Sequence, residues 1–276
     1  MRKTAIWVGA AVVVTGVLAA TAVPRGKAGV NADIASRVYV APVEYDEFYG
    51  FLSGGYSGQL SVWGIPSGRM FKVVPVFSQD AETGYGYTEE TKPLLMTSYG
   101  FQAWDDSHHP HMSQTNGDAD GRWVFINGNN TPRIARIDLS YMETREILEI
   151  PNTGGNHGSS FVTQNTEYIF GATRFSIPAE KDADVPIASF KDNFAGKISF
   201  VSVRPEDGRM NLAFQLKVPA YNYDLARAGK GPSSDWVFFT TYNTEQAHTL
   251  LEIEASRADK DFILAVNWKK VEEAAK

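Results

Sequence analysis

Trp123-Val124-Phe125-Ile126-Asn127-Gly128-Asn129-Asn130, with Arg133-Ile134-Ala135-Arg136-Ile137 close behind it, is the stretch on which the fold turns. Its aromatic and β-branched residues favour extended backbone, and Gly128-Asn129-Asn130 supplies a turn. Residues 145–150 offer a third strand, so the segment predicts an antiparallel meander. The pattern repeats on either side. Upstream, residues 45–52 lead into Ser53-Gly54-Gly55, residues 58–63 alternate apolar and polar, Ile65-Pro66-Ser67-Gly68 reads as a turn, and residues 69–77 read as another strand. Downstream, Glu167-Tyr168-Ile169-Phe170-Gly171 opens a third group, continued by residues 196–201 and, past Pro205-Glu206-Asp207-Gly208, by residues 210–218. A fourth group opens at residues 235–242, followed by a strand over 261–267 and a short helix over 269–275. Such groups, starting roughly 45 to 75 residues apart, predict an all-β chain and, within that class, a β-propeller. A sandwich or barrel is the competing all-β arrangement. Its strands would come at more even spacing, without long ligand-bearing loops.

Between the first two groups lies a long stretch, residues 78–121, that reads as irregular; a connection of that length inside a compact domain is usually functional. It contains Asp105-Asp106-Ser107-His108-His109-Pro110-His111, which holds three of the chain's five histidines. His157 stands in the glycine-rich run Asn152-Thr153-Gly154-Gly155-Asn156-His157-Gly158, between the second and third groups. Imidazole is the commonest protein ligand for borderline transition metals, so these residues point to copper, zinc, iron or nickel. Neighbouring side chains on extended backbone face opposite ways, so His108 and His109 suit a multinuclear cluster better than a single ion. Pro110 holds His109 extended or in a turn and argues against a helical H-E-x-x-H motif. A surface loop of solvated histidines is the plainer alternative. In a propeller, loops between blades converge at one mouth of the channel, which would bring His108, His109 and His157 together.

Arg2-Lys3 followed by an apolar run from Ala5 to Ala20 and the small-x-small Ala20-Thr21-Ala22 reads as a secretory signal peptide over residues 1–22. Without a twin-arginine pair, the general secretory route and a periplasmic location are expected; an uncleaved membrane anchor is the alternative. Residues 23–36 are polar and small, as in a linker, and residues 37–276 form the domain. A net charge of −6 with scattered Lys and Arg argues against nucleic acid as a partner. The chain has no cysteine, so neither disulfides nor thiolate ligands are available to it.

The chain resembles nitrous-oxide reductase. The resemblance rests on Phe51-Leu52-Ser53-Gly54-Gly55-Tyr56-Ser57-Gly58, Asp106-Ser107-His108-His109-Pro110-His111, Phe125-Ile126-Asn127 with Arg133-Ile134-Ala135-Arg136-Ile137, His157-Gly158, and Tyr242-Asn243-Thr244-Glu245, and spans roughly residues 38–267. It implies a seven-bladed propeller with a tetranuclear copper-sulfide cluster on seven histidines, and a C-terminal cupredoxin domain with a binuclear copper centre. The implied reaction is two-electron reduction of N2O to N2 and water in denitrification, fed by a periplasmic cytochrome c or cupredoxin, in a homodimer. His108, His109 and His157 match cluster ligands. Asp106 matches a carboxylate behind one of them, a role that fixes an imidazole's tautomer. His111 follows the motif without being a ligand, and His248 matches none. The resemblance also implies calcium at Tyr242, Glu245, the Ile253 carbonyl and Asp259, or Asp261 if the following strand sets the alignment; mixed carboxylate and carbonyl oxygens suit that ion. Only about four of the seven blades and three of the seven cluster ligands are accounted for. The expectation is therefore the N-terminal part of a propeller, inactive in N2O reduction by itself. Two rivals stand beside this reading: a non-catalytic periplasmic propeller binding calcium or a protein, and a mononuclear metallohydrolase using Asp105 or Asp106 as base.

Overall fold

The computed structural model describes residues 30–157, 161–179, 184–186, 189–242 and 261–276. The expected signal peptide lies outside them. The chain forms two compact units, one from residues up to 48 with 64–68, the other from 49–63 with 69–276. In the smaller, helix α1 (Val30–Val38) carries Arg37 in its last turn, where a cation favours the helix dipole. The described part of the stretch read as a linker is thus helical through residue 36. The Asp46 carboxylate accepts from the backbone N–H and the hydroxyl of Ser67, both at 2.8 Å, and so pins the turn at residues 66–68.

The strands follow the chain in successive antiparallel sheets. The first has β1 (Phe48–Ser53), β2 (Gln59–Ile65) and β3 (Met70–Pro75) in that order. After a short hairpin of β4 (Met96–Thr97) and β5 (Gly100–Phe101) comes a four-stranded meander, β6 (Ser107–Thr115), β7 (Asp118–Gly128), β8 (Arg133–Asp138) and β9 (Glu143–Glu149). The third sheet runs β10 (Phe161–Val162), β11 (Tyr168–Ala172), β13 (Phe194–Val203) and β14 (Met210–Val218). Strand β12 (Ile177–Pro178) also pairs with β13, and the one-turn helix α2 (Phe190–Asn193) precedes it. The fourth has β15 (Asn222–Ala228), β16 (Trp236–Tyr242) and β17 (Ile263–Asn267). Helix α3 (Trp268–Ala275) follows directly, capped by the Asn267 side chain, which accepts from the Lys270 N–H at 3.0 Å.

The arrangement of the cores separates a propeller from a two-sheet sandwich. On β7, Val124 and Ile126 join Leu60, Val74, Ala135 and Ile137 in a core between the first and second sheets. Their neighbours Trp123 and Phe125 face the other way, into a core with Ile134, Val162, Ile169 and Val201 between the second and third. A further core, with Phe170, Phe200, Tyr223, Val237, Phe239 and Trp268, joins the third and fourth. In a sandwich a strand buries every second residue. Here the second sheet is covered on both faces by its neighbours in sequence, as a propeller blade is, which is why residues 123–126 are apolar at every position. None of the sheets closes on itself.

One expectation changes. The histidine stretch is not in an irregular connection but on β6, the first strand of its blade. Pairing with β7 steps from His108↔Asn127 to His111↔Phe125, so β6 carries one extra residue there. This bulge leaves His109 and Pro110 out of the ladder, where a residue with no N–H does no harm. His109 takes up the bend with φ 48. The first strands of three successive blades lie together, β10 packing against both β6 and β15.

Candidate metal centre

The bulge changes what neighbouring histidines can do. Instead of facing opposite ways, the His108 and His109 rings sit edge to face with centroids 5.4 Å apart. The His157 ring lies 5.0 Å from the first and 4.9 Å from the second. One ligand atom from each residue falls within 4.8 Å of the other two.

Each ring is placed by its own neighbours. At the start of β6, the Ser107 N–H donates to the Gly55 carbonyl at 3.0 Å and its hydroxyl to the Gln59 carbonyl at 2.9 Å. The turn at Ser53-Gly54-Gly55 therefore anchors the ligand strand. His157 arrives on the glycine-rich run. A side chain at Gly155 would meet the Asn129 carbonyl at 2.4 Å and one at Gly154 the Phe175 carbonyl at 2.2 Å, so both positions need glycine for close approach. The Asn127 amide donates to the Asn156 carbonyl at 2.5 Å and ties this run to β7.

Carboxylates stand behind two of the rings. His108 Nε2 is 3.0 Å from Asp106 Oδ2, which also accepts from the Asn129 amide at 3.0 Å. Asn129 in turn accepts from Arg174. His157 Nδ1 is 2.6 Å from Asp224 Oδ1. The hydrogen bond from His157 holds the Asp224 carboxyl below the usual range, against its partial burial. Asp224, on β15, is a site residue that sequence reasoning missed. With the outer nitrogens engaged, His108 Nδ1 and His157 Nε2 face each other at 3.1 Å. His109 Nε2 is buried with no hydrogen-bond partner. Inward-facing imidazole nitrogens, one of them orphaned, fit a transition metal that accepts nitrogen ligands.

Burial lowers the His109 imidazole to about 4, with His157 and His108 adding to the effect. His111 is also lowered to about 4, chiefly by burial. It turns its Nδ1 to the Met112 carbonyl at 2.9 Å and stands outside the three-ring group. A group with a depressed folded-state value loses its contribution to stability as pH falls from its unfolded value through its folded one. The metal-free chain should therefore lose stability steeply between pH 6.5 and 4, read as a falling urea midpoint. A midpoint flat across that range would show both rings to be hydrated.

The remaining expected site residues divide. Asp105 belongs to the core: its carboxylate accepts from the Asn130 and Thr131 N–H groups at 3.0 and 3.1 Å and lies 3.5 Å from the Arg133 guanidinium. With Asp105 turned inward and Asp106 and Asp224 beside the backs of imidazoles, none of these three carboxylates is placed as a hydrolytic base among the described residues. Of the calcium set, Tyr242 ends β16 and Asp261 is exposed just before β17. Glu245, Ile253 and Asp259 lie outside the described residues, as does His248.

Stacked meander blades with a three-imidazole cluster backed by carboxylates define a β-propeller with a candidate histidine metal site. The chain is a sequence relative of the nitrous-oxide reductases. It is 36% identical over 244 residues to nitrous-oxide reductase of Pseudomonas fluorescens, covering 87% of this chain and 36% of that protein. To the Stutzerimonas stutzeri enzyme it is 32% identical over 271 residues, covering 97% of this chain and 40% of that protein. The chain thus spans 36–40% of the length of these relatives. No family model matches it. Among solved structures, the Dos1 propeller aligns over 82% of this chain and 46% of its own, with a TM-score of 0.47 and 10% identity.

Asp224→Asn keeps the side chain's size and removes its charge. It is expected to weaken copper binding by about 10–100-fold, as loss of an outer partner of a ligating histidine does. A competitive Cu(I) titration reads the change, and an unaltered affinity would show that His157 does not ligate through Nε2.

Proposed function

We propose that this chain supplies part of the catalytic copper site of a nitrous-oxide reductase, which takes N2O, two electrons and two protons to N2 and water. The supporting observation is the convergence of His108, His109 and His157 in a chain whose sequence follows that family nearly throughout. His108 would bind through Nδ1, and His109 and His157 through Nε2. A bound copper-sulfide cluster would supply the electrons that an inert substrate needs. The protein's share is to hold the rings. Asp106 and Asp224 fix two tautomers, the bulge in β6 sets the third ring, and burial keeps His109 unprotonated near neutrality.

The sequence contains five histidines, so a cluster on seven would draw ligands from outside it, as would the binuclear centre, which needs cysteine. By the same reading the protein works in the periplasm as a homodimer, receives electrons from a cytochrome c or cupredoxin, and holds calcium near Tyr242, Glu245, Ile253 and Asp259 or Asp261. Among the described residues no helix is long and apolar enough to cross a membrane. The test uses the purified chain loaded with copper. Copper should bind in a manner dependent on all three histidines, while methyl-viologen-driven N2O consumption stays at the blank. Turnover by this chain alone would overturn the partial-site reading, and absence of copper binding would overturn the site.

A further inference from the structure

The segment just past β11, Thr173-Arg174, ties together the parts of the chain that carry the histidine site. The Thr173 carbonyl accepts from the Tyr223 N–H at 3.1 Å, next to Asp224 on β15. The Thr173 hydroxyl lies 3.0 Å from that of Thr153 in the glycine-rich run. The Arg174 N–H donates to the Gly155 carbonyl at 2.6 Å, just ahead of His157. The Arg174 side chain reaches toward the other histidine strand. One guanidinium nitrogen donates to Asn129 Oδ1, and the guanidinium lies over the Phe175 ring, 5.0 Å from its centroid. Asn129 is buried, and its amide nitrogen donates to Asp106 Oδ2 at 3.0 Å. The same carboxylate oxygen stands 3.0 Å from His108 Nε2.

A side-chain amide accepts at one end and donates at the other. Asn129 stands between a cation and a carboxylate, so its oxygen belongs at Arg174 and its nitrogen at Asp106. The reverse sense would set donor against donor and acceptor against acceptor. Arg174 thereby fixes the sense of the amide and occupies an oxygen that would otherwise be buried without a partner. We propose that Arg174 is a positioning residue of this site. Acting through Asn129 and Asp106, it holds the His108 ring toward His157, whose run its own backbone anchors. Its effect on copper rests on the function proposed above, whereas its effect on the ring needs no metal.

Arg174→Met keeps an apolar stem and removes the donor, and Arg174→Lys keeps a cation. In NMR spectra of the metal-free chain, Arg174→Met should shift the ring carbon-bound proton signals of His108. Those of His111, which turns to the Met112 carbonyl outside this row of contacts, should stay in place. A competitive Cu(I) titration of Arg174→Met should show binding about tenfold weaker, the low end of the range for an outer partner, because the effect passes through two further side chains. The urea midpoint should be little changed. Arg174→Lys should recover most of the loss, because the contact with Asn129 needs one donor and a positive charge rather than the planar fork. Unmoved His108 signals in Arg174→Met would overturn the positioning role. So would parallel losses of copper affinity and urea midpoint in both variants, the mark of a merely structural residue. If the parent chain binds no copper while the His108 signals still move, the copper reading falls and the positioning role stands.

Discussion

Replacing His109 with glycine is expected to weaken copper binding more than about 100-fold while leaving the metal-free chain no less stable. The two effects have separate causes. His109 Nε2 is the buried nitrogen without a partner, so its loss removes a ligand outright, a larger step than the 10–100-fold effect of removing an outer partner. The residue is also held at φ 48, a left-handed conformation that costs a side-chain-bearing residue about 1–2 kcal/mol and glycine almost nothing. Against that stand the extra freedom of glycine in the unfolded chain, about 0.5–1 kcal/mol, and some lost packing. The balance should lie between no change and a gain of about 1 kcal/mol. His108→Gly lacks the left-handed position and should lose both copper and stability. Copper titration and urea denaturation, run on both variants, separate them. If His109→Gly unfolds markedly earlier than the parent, the bend is a structural feature and not a sacrifice made for the metal.

Asp105→Ala is expected to lower the unfolding free energy by about 3–5 kcal/mol, the usual effect of stripping one partner from a buried ion pair. Both side chains of the pair are 0% exposed. The guanidinium, lying over Phe77, would lose its main counter-charge, with only the weaker influence of Glu149 remaining, in a place where burial already pushes it toward the neutral form. The same change removes the acceptor for the Asn130, Thr131 and Asp106 N–H groups, which shape the turn into β8. Arg133→Met combined with Asp105→Ala should regain much of the loss, because no charge then remains buried. Urea midpoints at constant m value give the comparison. A loss below about 1 kcal/mol in the single variant would mean that water reaches Arg133.

Asp105 and Asp106 also show how far the sequence could be read. Both precede the histidines and look alike as candidates for work at a metal. The structure sends one into the core and the other to His108, and no local pattern distinguishes them. Strands buried on both faces were legible because their apolar runs are continuous: Met210–Val218 has the expected bounds, and the run from Trp123 lies within β7. The first strands of the second and fourth sheets were not. β6 is rich in His, Ser and Gln and contains Pro110, and β15 mixes Asn, Asp and Arg with apolar residues. Such strands carry polar site residues among the few that reach a core, such as Tyr223 and Ala226 on β15, so the hydrophobic periodicity that marks a strand is broken. Asp224 was missed for the same reason: its role is set by a neighbour two blades' pairing away, not by its own surroundings in sequence. The convergence of His108, His109 and His157 followed from the repeat, although the first two lie on β6 and not in the loop that was expected.

The row Asp106, His108, His157, Asp224 contains three polar contacts in series, at 3.0, 3.1 and 2.6 Å. A carboxylate closes the row at each end, so each ring has one nitrogen turned outward and the other turned toward its partner ring. A metal entering between the two rings would therefore meet two nitrogens already aimed along one line, with no ring flip needed to receive it.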